Sequence, residues 1–189
     1  MSTPAIVLAA GASRRFGAPK QIAEFGDEAL VNRVVQVASD AGLRPIVVLG
    51  AHRHAVEEVL DGEVERVFNP QWREGMASSI RCGVEYVVGD EEPLRLVICA
   101  GDQPLLSSDD FRHLVATCAV DEIAAAAYDD IVGIPACFPA RTFSELLRLD
   151  GDWGARSLLR GERFDVRAVS MPAAAYDVDE PGDLQKLRR

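Results

Sequence analysis

The chain is poor in the residues that build disulfide frameworks, metal fingers and membrane spans. Its four cysteines, in 189 residues, are scattered and form no C-x-x-C pair. This spacing argues against a disulfide framework and against a clustered metal site. No apolar run approaches the roughly 20 residues that a membrane helix requires. The first residues lead into an apolar segment without a basic region, so we expect no signal peptide, no membrane partner and a cytoplasmic location.

Basic residues are also scarce in this chain. Lysine and arginine together number 20, against 30 aspartates and glutamates, which gives a formal net charge of -10. Such an acidic balance argues against a nucleic-acid partner, because a polyanion is bound through many basic contacts. The length predicts a single domain over residues 1–189, large enough to bury a core. An acidic protein of this kind binds a small anion only where its few cations converge.

Several of these cations lie in one loop near the start of the chain. Residues 6–10 form an apolar run that is typical of a strand buried on both faces. The run ends at Gly11, and Ser13, Arg15 and Lys20 then supply hydrogen-bond donors and positive charge. A strand followed by such a loop favours phosphate binding. The spacing matches neither G-x-x-x-x-G-K-[ST] nor G-x-G-x-x-G, and an ordinary glycine-containing turn remains the alternative.

Strand-like and helix-like segments alternate along the chain, which predicts an α/β fold with a doubly wound, parallel sheet. Ligands of such sheets bind at the carboxyl ends of the strands. The histidines at 52 and 54 fall in a predicted helix, and we expect both to be exposed. Strands are predicted over residues 45–49, 64–68, 95–100, 123–128 and 166–169, and helices over residues 30–41, 51–60 and 107–119.

A second candidate segment, residues 69–80, follows the third predicted strand and therefore belongs at the same edge of the sheet as the first loop. Gly75 would allow the backbone to approach a flat ligand closely. Ser78 and Ser79 stand where the next helix is expected to begin. They would either cap that helix or donate hydrogen bonds to a base or ribose, and the sequence leaves both interpretations open.

Carboxylates follow the fourth predicted strand and precede the terminal helix. Asp102 lies in a tight Gly-Asp-Gln-Pro turn, where it would be held rigidly. One or two carboxylates combined with phosphate oxygens are the ligands that Mg²⁺ prefers, although a helix-capping role is the alternative for Asp102. Asp177 and Asp179 form an Asp-x-Asp pair that could stand near a cation. Asp183 is better placed to stabilise the start of the terminal helix.

Four motifs in this order give the chain a resemblance to a known family. They are Leu-Ala-Ala-Gly-x-Ser-x-Arg-x-Gly-x-x-Lys over residues 8–20, the segment 69–80, Asp-Gln-Pro at 102–104 and Gly-Asp-Trp-Gly-Ala-Arg at 151–156. Together they resemble the nucleotidyltransferases similar to molybdenum cofactor cytidylyltransferase and its guanylyltransferase relative. The resemblance extends from residue 6 to residue 184. It implies a three-layer α/β/α, Rossmann-like sandwich with a mostly parallel sheet, of the nucleotide-diphospho-sugar transferase type.

The same resemblance implies roles for individual residues. Lys20 and Arg15 would neutralise the triphosphate of an NTP, and Asp102 with Asp179 would hold Mg²⁺, with Mn²⁺ as the alternative. The implied catalytic residues are Lys20, Arg15 and Asp102. The implied nucleotide-binding residues are Leu8, Ala9, Ala10, Gly11, Ser13, Arg15, Lys20, Gly75, Ser78, Ser79 and Asp102.

An acceptor site is implied further along the chain, at Gly133, Pro135, Asp152 and Arg156. Many relatives have histidine where this chain has Ile134, a departure that points towards a different acceptor. Arg156 would stand in the first turn of a helix that Asp152 could cap, and from there it could reach an anionic group.

Three hypotheses on function follow. The first is transfer of CMP from CTP to the phosphate of molybdopterin, which rests on Ala10 and the Ala-Ala-Gly form typical of cytidylyl relatives. The second keeps the reaction but changes the base to guanine or the acceptor to another small phosphate, as Ile134 suggests. The third is a non-catalytic cofactor carrier that serves a client molybdoenzyme, although a carrier would not need Lys20 and a metal pair. The base, the acceptor, the metal and the oligomeric state remain open at this stage.

Overall fold

Strands and helices alternate in this computed structural model, which describes residues 2–152, 154–160 and 163–187. The strands are β1 (Pro4–Ala9), β2 (Glu24–Phe25), β3 (Glu28–Ala29), β4 (Arg44–Leu49), β5 (Glu65–Phe68), β6 (Arg95–Ala100), β7 (Glu122–Tyr128), β8 (Ile131–Pro139) and β9 (Asp165–Ser170). The helices are α1 (Leu30–Asp40), α2 (Arg53–Val59), α3 (Met76–Asp90), α4 (Ser108–Thr117), α5 (Phe143–Leu146), α6 (Arg156–Arg160) and α7 (Pro181–Leu187).

Seven of the strands form one sheet in the order β5-β4-β1-β6-β8-β7-β9, and β2 pairs with β3 in a small separate hairpin. Strand β1 is central and pairs in parallel with both β4 and β6. Only β8, among the described strands of this sheet, runs against its neighbours, because it pairs antiparallel with β6 and with β7. The predicted α/β fold with a mostly parallel sheet is therefore confirmed.

Strand β8 was not predicted as a strand, and its residues explain why. Gly133 and Pro135 interrupt its apolar run, and both residue types are normally unfavourable inside a sheet. The pairing of β7 with β8 shifts register between Ala125 and Ala126, so that Ile134 and Pro135 of β8 have no paired residue in β7. A two-residue turn joins β7 to β8, and both of its residues, Asp129 and Asp130, have positive φ. Such a turn matches the twist of paired strands and makes an antiparallel neighbour.

Helices cover both faces of the sheet, which gives the predicted three layers. On one face, Val7 of β1 packs in a buried cluster with residues of α1, α2 and α4. On the other face, Ile6 packs with residues of α3, α5 and α6. Phe111 and Phe138 are fully buried, one on each face. Burial of one such side chain contributes about 1.5–3 kcal/mol. No helix in the described ranges is both long and apolar enough to cross a membrane.

The close approach of α3 to the sheet gives a stability prediction. A Cβ at Gly83 would stand 2.7 Å from Ile6 Cγ2 and 3.1 Å from Val48 Cγ2, both fully buried. We therefore predict that Gly83→Ala lowers the free energy of unfolding by about 1–3 kcal/mol through overpacking, although alanine is the better helix former. The matched control is Gly89→Ala in the same helix, where an added Cβ would have no neighbour within 4 Å.

We expect Gly89→Ala to raise the free energy of unfolding by about 0.5–1 kcal/mol, because it lowers the entropy of the unfolded chain without a clash. Urea denaturation of both variants measures the difference. Equal stabilisation by the two substitutions would show that α3 does not lie as close to the sheet as described.

Candidate functional site

The loop of residues 10–20 follows β1 at the carboxyl edge of the sheet and folds back on itself. The amides of Phe16 and Gly17 both donate to the carbonyl oxygen of Ser13, at 3.0 and 3.1 Å. Ser13 itself has a φ of 51°, and Gly17 has a φ of 79°. The Ser13 hydroxyl also accepts from the backbone amide of Lys20 at 3.1 Å. These bonds bring the start of the Lys20 side chain back beside the loop.

Gln21, to which the sequence analysis gave no role, holds this loop from the inside. Its side chain is buried, donates through Nε2 to the carbonyl of Gly11 at 3.1 Å, and accepts through Oε1 from the hydroxyl of Ser13 at 3.2 Å. A glutamine directly after the loop lysine is the only sequence signal for this contact. The shape of the loop therefore depends on a buried amide that bridges two of its residues.

His52, which follows the neighbouring strand β4, also supports the loop. Its Nε2 lies 3.1 Å from the carbonyl oxygen of Ala12, and a Cβ at Gly50 would stand only 2.5 Å from the carbonyl oxygen of Ala10. The expectation that His52 is exposed is wrong. His52 precedes α2, and it is half-buried because its ring reaches back to the loop. His54 is exposed, as predicted. Since β4 pairs with β1, residues that follow the two strands meet.

Lys20 joins two carboxylates that are far apart in the sequence. Its Nζ lies 2.5 Å from Oδ2 of Asp102, which follows β6, and 3.0 Å from Oδ1 of Asp179, which precedes α7. Arg15 reaches the other oxygen of Asp179 at 2.8 Å. The side chains of Lys20 and Asp102 are only 16% and 15% exposed, whereas that of Arg15 is 69% exposed. Burial alone would lower the pKa of Lys20, but the two carboxylates outweigh it and raise that pKa, so the ammonium stays charged.

Two further carboxylate features mark this corner of the site. Oδ1 of Asp102 is buried and has no hydrogen-bond partner within the described residues. Asp177 as a whole residue is exposed, but protein atoms surround much of its carboxyl group. This loss of solvation, followed by the negative charge of Asp102, raises the pKa of Asp177 above its ordinary value. The Asp-x-Asp pattern predicts carboxylates in this segment, and of the pair only Asp179 is predicted, with Asp102, to hold the metal ion.

Asn69 organises the segment between β5 and α3. Its buried amide donates to the hydroxyls of Ser78 and Ser79 at 2.9 and 3.0 Å, and its Oδ1 accepts from the amide of Gln71 at 2.9 Å. The Ser78 hydroxyl lies 2.9 Å from the carbonyl of Gly75 and is used within the segment. Neither serine caps the helix, because α3 begins two residues before Ser78, with Gly75 as the preceding residue. Ser79 therefore contributes to the wall of the cavity described below while its hydroxyl accepts from Asn69.

Gly75 is required by a contact within the protein. Its φ of 114° is a conformation that side chains rarely adopt, and an added Cβ would stand 2.1 Å from Oδ1 of Asp152 and 2.9 Å from the carbonyl oxygen of Gly151. The Gly151 carbonyl also accepts from the amide of Ala77 in the first turn of α3, at 3.1 Å. The motif around Asp152 therefore packs against the segment predicted to bind the base. Trp153 of the same motif lies outside the described residues.

Lys20, Arg15, Asp102 and Asp179 form what we call the carboxylate cluster. A cavity of about 450 Å³ opens between the loop of residues 10–20, the start of α3 and the Lys20–Asp102 part of this cluster. Cavities of about 300–1,000 Å³ are typical of small-molecule sites. Ala9 and Ser78 are buried outside its lining, Arg15 reaches the cluster from solvent, and Asp152, predicted for the acceptor, stands in the wall. The predicted nucleotide-binding residues in the wall are Leu8, Ala10, Gly11, Ser13, Lys20, Gly75, Ser79 and Asp102. All of these roles stay predictions.

Two of the predicted acceptor residues lie near Tyr128. A Cβ at Gly133 would stand 3.1 Å from the Tyr128 hydroxyl. Burial, followed by the charge of Asp177, raises the pKa of Tyr128, while the nearby guanidinium of Arg156 acts in the opposite direction. Asp177 is therefore electrostatically linked both to Asp102 and to Tyr128. The structure does not place Gly133 or Arg156 in the wall of the 450 Å³ cavity.

Gln103 connects the carboxylate turn to the acceptor side. Its buried amide donates to the carbonyl of Ala174 at 3.0 Å and to that of Ile134 at 3.4 Å. Pro135, a predicted acceptor residue, follows Ile134 through a cis peptide bond. The Asp-Gln-Pro motif predicts a role for Asp102, whereas the structural role of Gln103 is visible only in the folded protein.

The residues around Asp102 fit a divalent cation that a nucleotide helps to hold. Mg²⁺ binds oxygen ligands and usually takes one or two carboxylates together with substrate phosphates and water. The buried Oδ1 of Asp102 is an oxygen without a partner among the described residues, and Asp179 offers a second, partly exposed carboxylate. In the described part of the chain, no group of three or more histidine, cysteine, aspartate or glutamate side chains could hold a metal ion. The protein thus supplies part of a coordination shell.

The loop after β1 carries a lysine that contacts two carboxylates beside a cavity of about 450 Å³, an arrangement typical of α/β proteins that transfer nucleotidyl groups. Comparison with known proteins agrees. A family model described as the MobA-like NTP transferase domain matches residues 5–168, and the chain belongs to this family. The general prediction of a nucleotidyltransferase is thereby confirmed, whereas molybdenum cofactor specificity stays a proposal.

Three proteins illustrate the likeness. Purine catabolism protein PucB of Bacillus subtilis (strain 168) is 27% identical over 198 residues, covering 97% of this chain and 95% of PucB. The crystal structure of Rv0371c from Mycobacterium tuberculosis H37Rv is 31% identical, covers 99% of this chain and 98% of that one, and has a TM-score of 0.84. A second structure of the same mycobacterial protein, a manganese complex of Rv0371c, is 28% identical to this chain, with a TM-score of 0.80 and the same coverage of both chains.

The third protein is bifunctional protein GlmU of Caldanaerobacter subterraneus subsp. tengcongensis, which is 32% identical to this chain over 115 residues. The match covers 58% of this chain but only 24% of GlmU. The relatives therefore agree on the family and leave the acceptor open.

The support of the loop by Gln21 gives a second prediction. Gln21→Leu removes both side-chain bonds. The Gly11 carbonyl then loses its buried donor and the Ser13 hydroxyl loses its acceptor, keeping only the bond from the Lys20 amide, so we expect a loss of about 1–3 kcal/mol in the free energy of unfolding. Gln36→Leu is the control, because Gln36 bonds to Asp40 on the exposed face of α1 and should change stability by less than about 0.5 kcal/mol. Chemical denaturation checks both values, and equal effects would mean that Gln21 does not hold the loop.

Proposed function

We propose that this protein transfers a cytidylyl group from CTP to a phosphorylated acceptor with release of pyrophosphate, with molybdopterin as the first candidate acceptor. The observation that carries the proposal is the position of Lys20 between Asp102 and Asp179, at one end of the 450 Å³ cavity. The cavity's other wall contains Gly75, Ser79 and Asp152, which would face the nucleoside. This polarity suits a triphosphate at the charged end and a base at the other.

Positioning and charge neutralisation account for the chemistry that such a site needs. An oxygen of the acceptor phosphate attacks the α-phosphorus of CTP, a new P–O bond forms, and the bond from the α-phosphorus to the bridging oxygen breaks. The electron pair leaves with pyrophosphate. Lys20 and Arg15 would hold the triphosphate and neutralise the charge that develops on the leaving group. The acceptor phosphate is ionised at neutral pH, so no side-chain base is needed.

Asp102 and Asp179 would hold Mg²⁺, or Mn²⁺, between them and the nucleotide phosphates. When bound, such a cation acts as a Lewis acid on the phosphoryl oxygens. The manganese complex of Rv0371c supports a divalent metal in a relative of similar fold. The buried, unpaired Oδ1 of Asp102 is the feature of this chain that fits the proposal best.

The base assignment rests on Ala10. This residue lines the cavity, and the Ala-Ala-Gly form to which it belongs is typical of the cytidylyl relatives that the chain resembles, which favours CTP. The Ala10 Cβ packs against Gly50, since an added Cβ there would lie 2.7 Å from it. Guanylyl transfer remains the alternative for the base.

A second acceptor class is favoured by one observation. Ile134 stands where many similar enzymes have histidine, and its neighbour Gly133 faces Tyr128. An apolar side chain and a phenol suit an acceptor other than molybdopterin that also carries a phosphate. The name of PucB refers to purine catabolism and that of GlmU to two activities, which is consistent with a family that serves several acceptors.

Calorimetric titration tests the nucleotide half of the proposal. We expect CTP with Mg²⁺ to bind more tightly than GTP, ATP or UTP, and Asp102→Asn to weaken that binding by about tenfold or more, which corresponds to about 1.4 kcal/mol. The matched control is Asp109→Asn, because Asp109 is an exposed aspartate that pairs only with Arg112 within α4. Its affinity for CTP should equal that of the unchanged protein.

The outcomes separate the hypotheses. Tighter binding of GTP would move the protein to the guanylyl side and leave the site intact. Nucleotide binding without Asp102-dependent release of pyrophosphate, in the presence of molybdopterin and of other small phosphates, would indicate a carrier. Binding of no NTP would contradict the assignment of the loop around Gly11.

A further inference from the structure

The charged side chains of the carboxylate cluster pair with one another. Two carboxylates, Asp102 and Asp179, face two cations, Lys20 and Arg15, at distances of 2.5 to 3.0 Å. The Lys20 ammonium stands between the two carboxylates and touches an oxygen of each. It therefore occupies the place where a metal ion shared by the same two side chains would have to bind.

A metal ion cannot simply join this arrangement. A dication placed between the carboxylates would stand within a few ångströms of a buried ammonium, and like charges at that distance repel strongly where solvent is scarce. Within the described ranges, no third acidic, histidine or cysteine side chain is positioned to complete a metal cage and offset this repulsion. Metal binding therefore requires that Lys20 leave Asp102.

The side chains differ in their freedom to move. Asp102 is short, mostly buried and fixed directly after β6, and its backbone carbonyl accepts from the amide of Val178 at 3.0 Å. Lys20 carries its charge on a flexible four-carbon stem. The lysine is therefore the partner that moves. Oδ2 of Asp102 would then become available to the cation, in addition to Oδ1, which lacks a partner among the described residues.

We infer that Lys20 is the resident counter-cation of this site and that a divalent cation enters only in exchange for it, when a triphosphate draws Lys20 away from the carboxylates. This inference rests on the proposed function and adds a coupling to it. Metal alone should bind weakly, and metal and nucleotide should each strengthen the binding of the other by the same factor, as linkage requires. The lysine would prevent the site from filling with free metal ions.

The test is a titration of Mn²⁺ in the absence of nucleotide, followed by the electron paramagnetic resonance of free Mn²⁺. Lys20→Met keeps most of the stem and removes the charge. We expect it to bind Mn²⁺ about tenfold more tightly than the unchanged protein, although it removes a phosphate-binding residue. The matched control is Lys186→Met, because Lys186 pairs with Asp183 at 2.9 Å on the exposed face of α7 and should leave Mn²⁺ affinity unchanged.

Two additional variants keep the outcome unambiguous. Lys20→Gln replaces Lys20→Met if the latter does not fold, as judged by its circular dichroism and unfolding midpoint. Adding Asp102→Asn to Lys20→Met should abolish the gained Mn²⁺ binding, which would assign the metal to Asp102. If both Lys20 variants bind Mn²⁺ no more tightly than the unchanged protein, the exchange is refuted.

A final arm separates this inference from the proposed function. CTP affinity is measured with EDTA and with saturating Mn²⁺, for the unchanged protein and for Lys20→Met. We expect the metal to strengthen CTP binding more in the unchanged protein than in the variant. Failure of any NTP to bind would defeat the proposed function and the coupling with it, whereas CTP binding with equal strengthening in both proteins would defeat only the coupling.

Discussion

The contact of one lysine with two carboxylates is the constraint on which the rest of this structure depends. Lys20, Asp102 and Asp179 come from three distant parts of the chain, and they meet only because β1 and β6 are parallel neighbours whose loops emerge at the same edge. The third participant is brought back by the bond between the Val178 amide and the Asp102 carbonyl. Ion-paired side chains that are shielded from water lose favourable solvation. Their mutual attraction offsets this loss only when the surrounding structure holds them in good geometry.

The surroundings supply that geometry through buried polar side chains. Gln21 and His52 fix the loop on one side, Asn69 shapes the segment before α3, and Gln103 ties the carboxylate turn to the strand that carries Ile134. Each of these side chains bonds to a backbone group or to a side chain distant in the sequence. None of them can therefore rotate away without leaving a polar group unpaired. Positioning of this kind is what phosphoryl and nucleotidyl transfer requires from a protein.

The predicted nucleotide and acceptor regions are built from different elements. The cavity that we propose for the nucleotide is formed by the loop after β1, the segment before α3 and the turn after β6, while the predicted acceptor residues Gly133 and Arg156 belong to β8 and α6. Burial and then the charge of Asp102 raise the pKa of Asp177, and burial and then the charge of Asp177 raise the pKa of Tyr128, so Asp177 is electrostatically linked to both. This division is consistent with the proposal that nucleotide chemistry is retained in the family while the acceptor changes.

The sequence by itself determined the fold class, the family and the positions of the charged groups. Alternating apolar segments predict a parallel sheet, and the loop around Gly11 and the turn around Asp102 carry short-range signals that are readable one residue at a time. Only the tertiary structure decided that β8 runs antiparallel, that Ser78 turns inward to Gly75, and that His52 supports the loop. Each of these depends on contacts between residues far apart in sequence. Packing in the folded protein determines which side chains become partners, and the pattern of residue types along the chain does not contain that information.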